Sequence, residues 1–566
     1  MNNILTLLGD EAAAIGAIHA GLSAAYGYPG TPSTEIMEFL QIKAAENSGF
    51  IAKWCTNEKT AFEAALGTSF AGKRALVTMK HVGLNVASDP FVNSALLGIK
   101  GGLVLAVADD PGMHSSQGEQ DSRFYASFAL TPCIEPRNQQ EAYDLCREAF
   151  DLSEQFHVPV MLRLVTRLSH ARSSVCIKPE RQQNPCSKVE DKTQWMLLPA
   201  YARKNYVSLI QKQEALKQWS EHHPLNKLEL EDKDCSFTVI TSGLGGNYYE
   251  ENLADIITKR SKAPARLHIA AYPLPENSIR KLCEKAEEVL VIEEGQPLIE
   301  ERLRGILPLS VKVRGRLKDS AVNRDNKCPS IPRTGELDPD NVRAALELQP
   351  RLSVLDTLPD GNGTIQFAEG KVGRPPQLCQ GCPHAASYET LNMVVAQLDN
   401  SPGHPRVSVT SDIGCYSLGA APPYSAIESI VCMGASVGMA RGAADAGIPY
   451  AFAVIGDSTF IHSGITALID AVEANIHMTL IILDNSTVAM TGCQTTAFPS
   501  AKLKNLILGT GIDPDHYLEL EAKKQLTEEN AAKLQREAEY SGLSVVVFKR
   551  ECLEIARKRR KPEKPE

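Results

Sequence analysis

Short, predominantly apolar runs alternate along this chain with longer segments whose apolar residues return at helical spacing. Ala75 to Met79, Gly102 to Ala108, Val158 to Leu164, Phe237 to Ser242, Val289 to Ile292, Tyr450 to Ile455, Thr479 to Leu483 and Leu543 to Phe548 are of the first kind. Each has the length and bounding residues of a buried strand. Glu11 to Ala25 and Glu58 to Phe70 are of the second kind and read as helices. Strands alternating with helices define an α/β architecture built on parallel sheets.

The same pattern divides the chain. Residues 1–172 form one α/β domain, and residues 173–234 are a polar connector with some helix, interrupted by Pro179, Pro185 and Pro199. Residues 235–316 make a smaller α/β domain. Residues 317–370 read as a linker rich in Pro, Gly, Asp and Asn, with Pro329, Pro332, Gly335, Pro339, Gly361 and Gly363, and residues 371–566 form the last α/β domain. No short-period repeat is present.

Bulk numbers narrow the partners. With 566 residues, 43% hydrophobic and 22% charged, the chain is an ordinary globular protein of several domains. A formal net charge of −9 and the lack of a basic stripe argue against nucleic acid. The basic stretch Arg557 to Lys561 reads as a solvated terminus. No run of eighteen apolar residues and no signal-like N-terminus is present, so no membrane is expected and the expected location is the cytoplasm. Most of the fourteen cysteines are therefore expected to be reduced and buried.

Three places carry chemistry. At Gly456-Asp457-Ser458 an apolar strand runs into a Gly-Asp turn, and 28 positions after Asp457 a second strand ends at Asp484-Asn485. Both polar tips leave the same edge of a parallel sheet, where α/β proteins bind ligands. Gly456 permits close backbone approach, Asp457 offers a hard carboxylate oxygen and Asn485 a neutral one, a set that suits Mg²⁺ holding a diphosphate. The bland alternative is a strand-to-helix turn capped by Asp. The pattern resembles the thiamine diphosphate motif, Gly-Asp-Gly followed one strand, helix and strand later by Asn, with Ser458 in place of the third glycine. The second place is Glu58, where a strand-like segment meets a helix start. A carboxylate there could drive the cofactor's aminopyrimidine towards its imino tautomer, or Asn57 and Glu58 could be ordinary helix-capping chemistry. The third is Cys379-x-x-Cys382 with Cys415, compatible with zinc, a redox pair or a cluster. A [4Fe–4S] centre needs a fourth thiolate, for which Cys432, Cys493 and Cys552 are available.

Several blocks together make a family recognisable. Gly27 to Glu35, the surroundings of Glu58, Thr78 to Asn85, Ala108 to Ser116, Cys379 to His384, Asp412-Ile413-Gly414-Cys415-Tyr416, Gly456 to Gly464 and Asp484 to Gln494 resemble the large subunit of indolepyruvate ferredoxin oxidoreductases. The resemblance implies a multidomain thiamine diphosphate-binding α/β fold. Its pyrimidine and diphosphate domains flank a smaller domain like the C-terminal domain of transketolase. It implies that a 2-oxo acid, an aryl pyruvate such as indolepyruvate, adds to the thiazolium and loses CO₂. Two electrons then pass singly through iron–sulfur clusters to ferredoxin, and an acyl-coenzyme A is left. In that family Glu58 is the activating carboxylate. Asp457, Asn485 and the Thr487 carbonyl are the Mg²⁺ ligands, with Gly456, Ser458 and Gly414 also against the cofactor. Thr31 matches a substrate-contacting position. Some pyruvate enzymes carry a carboxylate-binding arginine near the place of Asp109-Asp110, so the resemblance leaves the anchor here unknown, with Arg123 and Lys80 as guesses. The resemblance favours Cys552 as the fourth cluster ligand beside Cys379, Cys382 and Cys415. It also implies a small β subunit. Typical large subunits continue into a ferredoxin-like domain, whereas these 566 residues end fourteen residues after Cys552. A separate ferredoxin-like subunit, or the acceptor itself, is then expected at the cluster.

Two other readings compete. One is a non-oxidative thiamine diphosphate-dependent decarboxylase or lyase that keeps the fold without the electron path. The other is an idle scaffold subunit of a redox complex, against which intact Glu58, Asp457 and Asn485 argue.

Overall fold

The computed structural model describes residues 3–46, 49–187, 191, 193–317, 330–351, 377–399 and 406–560. The expectations placed on Pro329, Gly361, Gly363 and Lys561 lie outside them. The chain divides into two compact units, 1–360 and 361–566.

The first unit holds a seven-stranded sheet in the order Ala271–Tyr272, Cys133–Ile134, Val160–Val165, Leu103–Asp109, Ala75–Lys80, Ala24–Gly27, Ile51–Trp54. All neighbours are parallel except the Ala271–Tyr272 pair. Its central strands are mostly apolar because both faces are covered, with Thr78, Lys80, Asp109 and Arg163 as buried polar exceptions. Ala75, Val77, Leu105 and Val107 face one core, and Leu76, Val104, Ala106 and Leu162 the other. The expected helix Glu11 to Ala25 is shorter, Gly9–His19, since Ala24–Gly27 is the strand that centres the following turn. Ahead of that helix, Ile4–Leu8 is a strand paired antiparallel with Arg172–Cys176.

A five-stranded sheet in the same unit runs Lys312–Arg314, Glu288–Ile292, Asp234–Ser242, Pro264–Ile269, Lys227–Glu229. Much of the polar connector is one helix, Pro199–Glu221, which buries Leu209 and Leu216 and leaves most of its length solvated. The short helix Pro339–Ala345, N-capped by Asp338, buries Val342 and Ala345 in the first unit's core.

The second unit is built on a six-stranded parallel sheet, Ser429–Ile430, Val407–Ser411, Tyr450–Gly456, Met478–Asp484, Leu543–Lys549, Tyr517–Glu521. Four of these strands deliver polar residues at their C-terminal ends, where a parallel sheet opens to ligands. They are Asp412, Asp457, Asp484 with Asn485, and Cys552.

Candidate functional site

In the second unit the Gly456-Asp457 turn is shaped by an aromatic ring. A Cβ built on Gly456 would meet the Tyr416 ring at 2.5 Å, and one on Gly414 would meet it at 2.2 Å. Both glycines are therefore required by Tyr416, which is itself fixed by bonds from its hydroxyl to Asp412 and from Tyr388 Oη to its carbonyl at 2.6 Å.

Asp457 is buried and accepts from the Ser486 N–H at 3.0 Å. Asp484 Oδ1 accepts from the same N–H at 3.1 Å, so two buried carboxylates share one donor. Burial pushes the Asp457 carboxyl far above the usual carboxylate range, and the neighbouring Asp484 pushes it further. A divalent cation would remove that conflict. Beside it the Ser458 hydroxyl is buried with no hydrogen-bond partner among the described residues, an unspent donor where the motif has glycine. Asn485 Oδ1 accepts from the Thr487 N–H at 3.1 Å, which turns the 485–487 loop, and Thr487 Oγ1 donates to the Gln494 carbonyl at 2.9 Å. A conflicted carboxylate pair, an unspent hydroxyl and a fixed asparagine fit Mg²⁺ and a diphosphate.

The cysteines lie within the same unit and are bonded into this loop. Cys382 stands at the start of the helix Pro383–Leu398, which carries His384; the His384 ring is 3.3 Å from Asn485 Nδ2. Burial lowers the His384 imidazole to about 4, so it is neutral and can accept from that amide. Cys415 directly precedes Tyr416. The Cys552 N–H donates to the Asn485 carbonyl at 3.2 Å. The thiols sense one another. Burial, then Cys379 and Cys552, push Cys382 up to about 11; burial, then Cys382, Cys552, Cys379 and Cys493, push Cys415 up to about 12. Partly buried thiols that oppose each other's ionisation suit a site whose positive charge comes from iron. As they stand, no three His, Cys, Asp or Glu side chains among the described residues are spaced to hold a metal ion. Cys493 is drawn up by burial and by Cys552, whereas Cys432 is exposed.

In the first unit, Asn57 caps the helix Glu58–Phe70 through a 2.8 Å bond from the Thr60 N–H. The capping chemistry is real, yet Glu58 does not point to water: it is only 5% exposed. Its carboxyl lies against the first turn of the helix His81–Leu97, where a Cβ on Gly83 would come within 2.5 Å of Oε1. Lys80, the last residue of its strand, packs its stem on Gly30 and donates from Nζ to the Ser115 carbonyl at 3.0 Å. Ser115 Oγ in turn donates to the Thr31 carbonyl at 3.1 Å. Asp110 organises this loop, accepting from Ser115 N at 2.8 Å, Ser116 Oγ at 2.7 Å and Thr166 Oγ1 at 2.8 Å. The fold thus gathers Thr31, Glu58, Lys80 and Asp110 at one sheet edge.

Arg123 is not among them. It is fully buried, bonded to Asp121 at 2.5 Å and to Glu293 at 3.1 Å, in a network that includes Arg163, Asp109 and Glu135. Its expected role as a carboxylate anchor is corrected accordingly, because every edge of the guanidinium is spent inside the fold. Sequence reasoning missed Asp484, Asp412 and His384 as working parts of the site. The first two had a readable signal, an acidic residue at or just past the end of an apolar strand.

Residues 15–223 match the family model of the pyruvate flavodoxin/ferredoxin oxidoreductase thiamine diphosphate-binding region. Residues 412–546 match that of the thiamine pyrophosphate enzyme C-terminal TPP-binding domain. Fold and site define a thiamine diphosphate enzyme of the 2-oxoacid oxidoreductase class. The chain is 36% identical to the indolepyruvate oxidoreductase subunit IorA of Archaeoglobus fulgidus, across 96% of its own length and 86% of that protein. For the subunits so named from Methanothermobacter marburgensis and Thermococcus kodakarensis the identities are 38% and 35%, across 87% and 86% of this chain and 76% and 75% of theirs. This chain belongs to the indolepyruvate oxidoreductase subunit IorA family. Among the described residues no helix is long and apolar enough to cross a membrane.

Proposed function

We propose that this protein is the thiamine diphosphate-bearing subunit of an enzyme that oxidatively decarboxylates an aryl 2-oxo acid, indolepyruvate being the substrate its relatives' name suggests. The products are an acyl-coenzyme A and reduced ferredoxin. When bound, the cofactor supplies a carbanion for addition to the 2-oxo acid and its decarboxylation, and a [4Fe–4S] cluster accepts the electrons singly. Asp457, Asn485 and the Thr487 carbonyl hold Mg²⁺, with Gly456, Gly414 and Ser458 against the diphosphate. Glu58 would share its carboxyl proton with the aminopyrimidine ring nitrogen, favouring the imino tautomer, and Thr31 would contact substrate. Cys379, Cys382, Cys415 and Cys552 ligate the cluster, and a small β subunit and a ferredoxin complete the path.

The observation that carries this reading over a non-oxidative one is the bond from the Cys552 N–H to the Asn485 carbonyl. The backbone of one member of the cysteine group is thus bonded to the diphosphate loop, and a decarboxylase has no use for a thiol there. Anaerobic purification followed by iron and sulfide analysis, with ferredoxin reduction by indolepyruvate and coenzyme A, tests the reading. An iron-free protein that still consumes 2-oxo acids would overturn it.

A further inference from the structure

A 2-oxo acid brings a negative charge to its reacting carbon, and the sheet edge that carries Glu58 already has two carboxylates, Glu58 and Asp110. Something there must compensate the incoming anion. Asp110 is committed by four bonds, from the Ser115 N–H and the hydroxyls of Ser115, Ser116 and Thr166. Arg123 and Arg163 are spent in the buried network, and Arg167 is paired with Glu336. Lys80 is different. Its carbon stem is held by Gly30, one residue before Thr31, so the ammonium is positioned by packing rather than by an ion pair. Among the described residues its Nζ donates one hydrogen bond, to the Ser115 carbonyl, whereas an ammonium has three N–H donors.

We propose that Lys80 anchors the carboxylate of the 2-oxo acid, with Glu58 at the neighbouring position for the cofactor. The proposal rests on the 2-oxo acid reading given above. Burial lowers the Lys80 ammonium to about 8 against the opposing pull of Asp110 and Glu58, and a bound carboxylate would restore its full charge. Gly30 fits the same account, since a Cβ there would press on the stem at 3.0 Å and displace it. The anchor is thereby set by the turn that also presents Thr31, which couples recognition of the acid to the position of that residue.

The test uses the enzyme assembled with its other subunits and compares wild type, Lys80→Ala and Lys80→Arg. 3-Phenylpropionate has the carboxylate spacing of phenylpyruvate but no keto group, and 3-phenylpropanamide is its uncharged counterpart. Loss of a charge-assisted hydrogen bond weakens binding by about 10- to 100-fold. Lys80→Ala is expected to lose calorimetric affinity for 3-phenylpropionate by that factor, to bind the amide like wild type, and to raise KM for phenylpyruvate far more than it lowers kcat. Lys80→Arg is expected to recover most of the affinity. Equal binding of 3-phenylpropionate by wild type and Lys80→Ala overturns the proposal, as does an equal loss for acid and amide, which marks a packing role. A fall in thiamine diphosphate affinity with substrate binding unchanged also overturns it, by assigning Lys80 to Glu58 instead. If wild type neither binds nor consumes any 2-oxo acid, the functional reading itself fails and the anchor falls with it.

Discussion

Two buried clusters of acidic side chains in this protein differ in whether a guanidinium stands among the carboxylates. In the first unit, Asp109, Asp121, Glu135 and Glu293 surround Arg123 and Arg163, and all are removed from solvent. Burial alone would push Asp121 up, but the two guanidiniums outweigh it and hold the carboxyl below its usual range. In the second unit, Asp457 and Asp484 share one backbone donor and form no ion pair among the described residues, and Asp457 is pushed far up. The first cluster sets two guanidiniums among its four carboxylates, so that Asp121 is held down while burial still lifts Asp109 and Glu293, and it joins the two sheets of its unit, with Arg123 also bonded to the carbonyls of Glu294 and Gln296. The second keeps an electrostatic debt that a bound cation would discharge. Compensation within the fold marks structure, and its absence marks a site.

That contrast can be tested by changing each cluster in turn. Glu58→Gln, which leaves both clusters intact, is expected to lower turnover by about 10²- to 10⁴-fold with thiamine diphosphate still bound, measured by steady-state kinetics and calorimetry. Asp457→Ala is expected to weaken Mg²⁺ and thiamine diphosphate by at least about 100-fold while folding is retained, because it removes a conflict as well as a ligand. Arg123→Met should do the reverse. It leaves buried carboxylates unpaired and costs about 3–5 kcal/mol in urea denaturation without altering cofactor affinity. A loss of cofactor affinity in Arg123→Met with stability intact would erase the distinction between the clusters.

If the proposed cluster is present, Cys415→Ser should cost most of its iron and visible absorbance while sparing thiamine diphosphate binding. The smallest effect expected concerns Asp10, a buried carboxyl in the helix Gly9–His19 that burial lifts to about 8. Its folded pKa lies above the unfolded one, so the folded chain holds the proton more tightly. Its contribution is full below pH 4, declines as pH rises and is lost above about 8. Asp10→Asn should therefore flatten the thermal stability profile between pH 5 and 8 and raise the midpoint at the alkaline end by a few degrees, about what 1 kcal/mol gives. An unchanged profile would assign the pH dependence elsewhere.

Much of this was legible in the residues. The apolar runs located nearly all the long strands, since a strand covered on both faces is mostly apolar and admits a polar side chain only where it finds a buried partner. Helix Glu58–Phe70 and the Gly456-Asp457 turn could be read for the same local reasons. Ala24–Gly27 could not, because four residues of Ala, Tyr and Gly continue a helical pattern until a sheet claims them. Ile4–Leu8 is a strand only because Arg172–Cys176 pairs with it.

The chain's order of residues was enough to assign a parallel α/β fold, the diphosphate turn and the cysteines worth attention, because period, turn chemistry and spacing are local properties. It could not say that Arg123 is spent while Lys80 is available, that Asp484 presses on Asp457, or that Cys552 is tied to Asn485. Those depend on which groups distant in sequence meet at a sheet edge and on how much water is left there. Burial and proximity set the cost of a charge, and both exist only once the chain is folded.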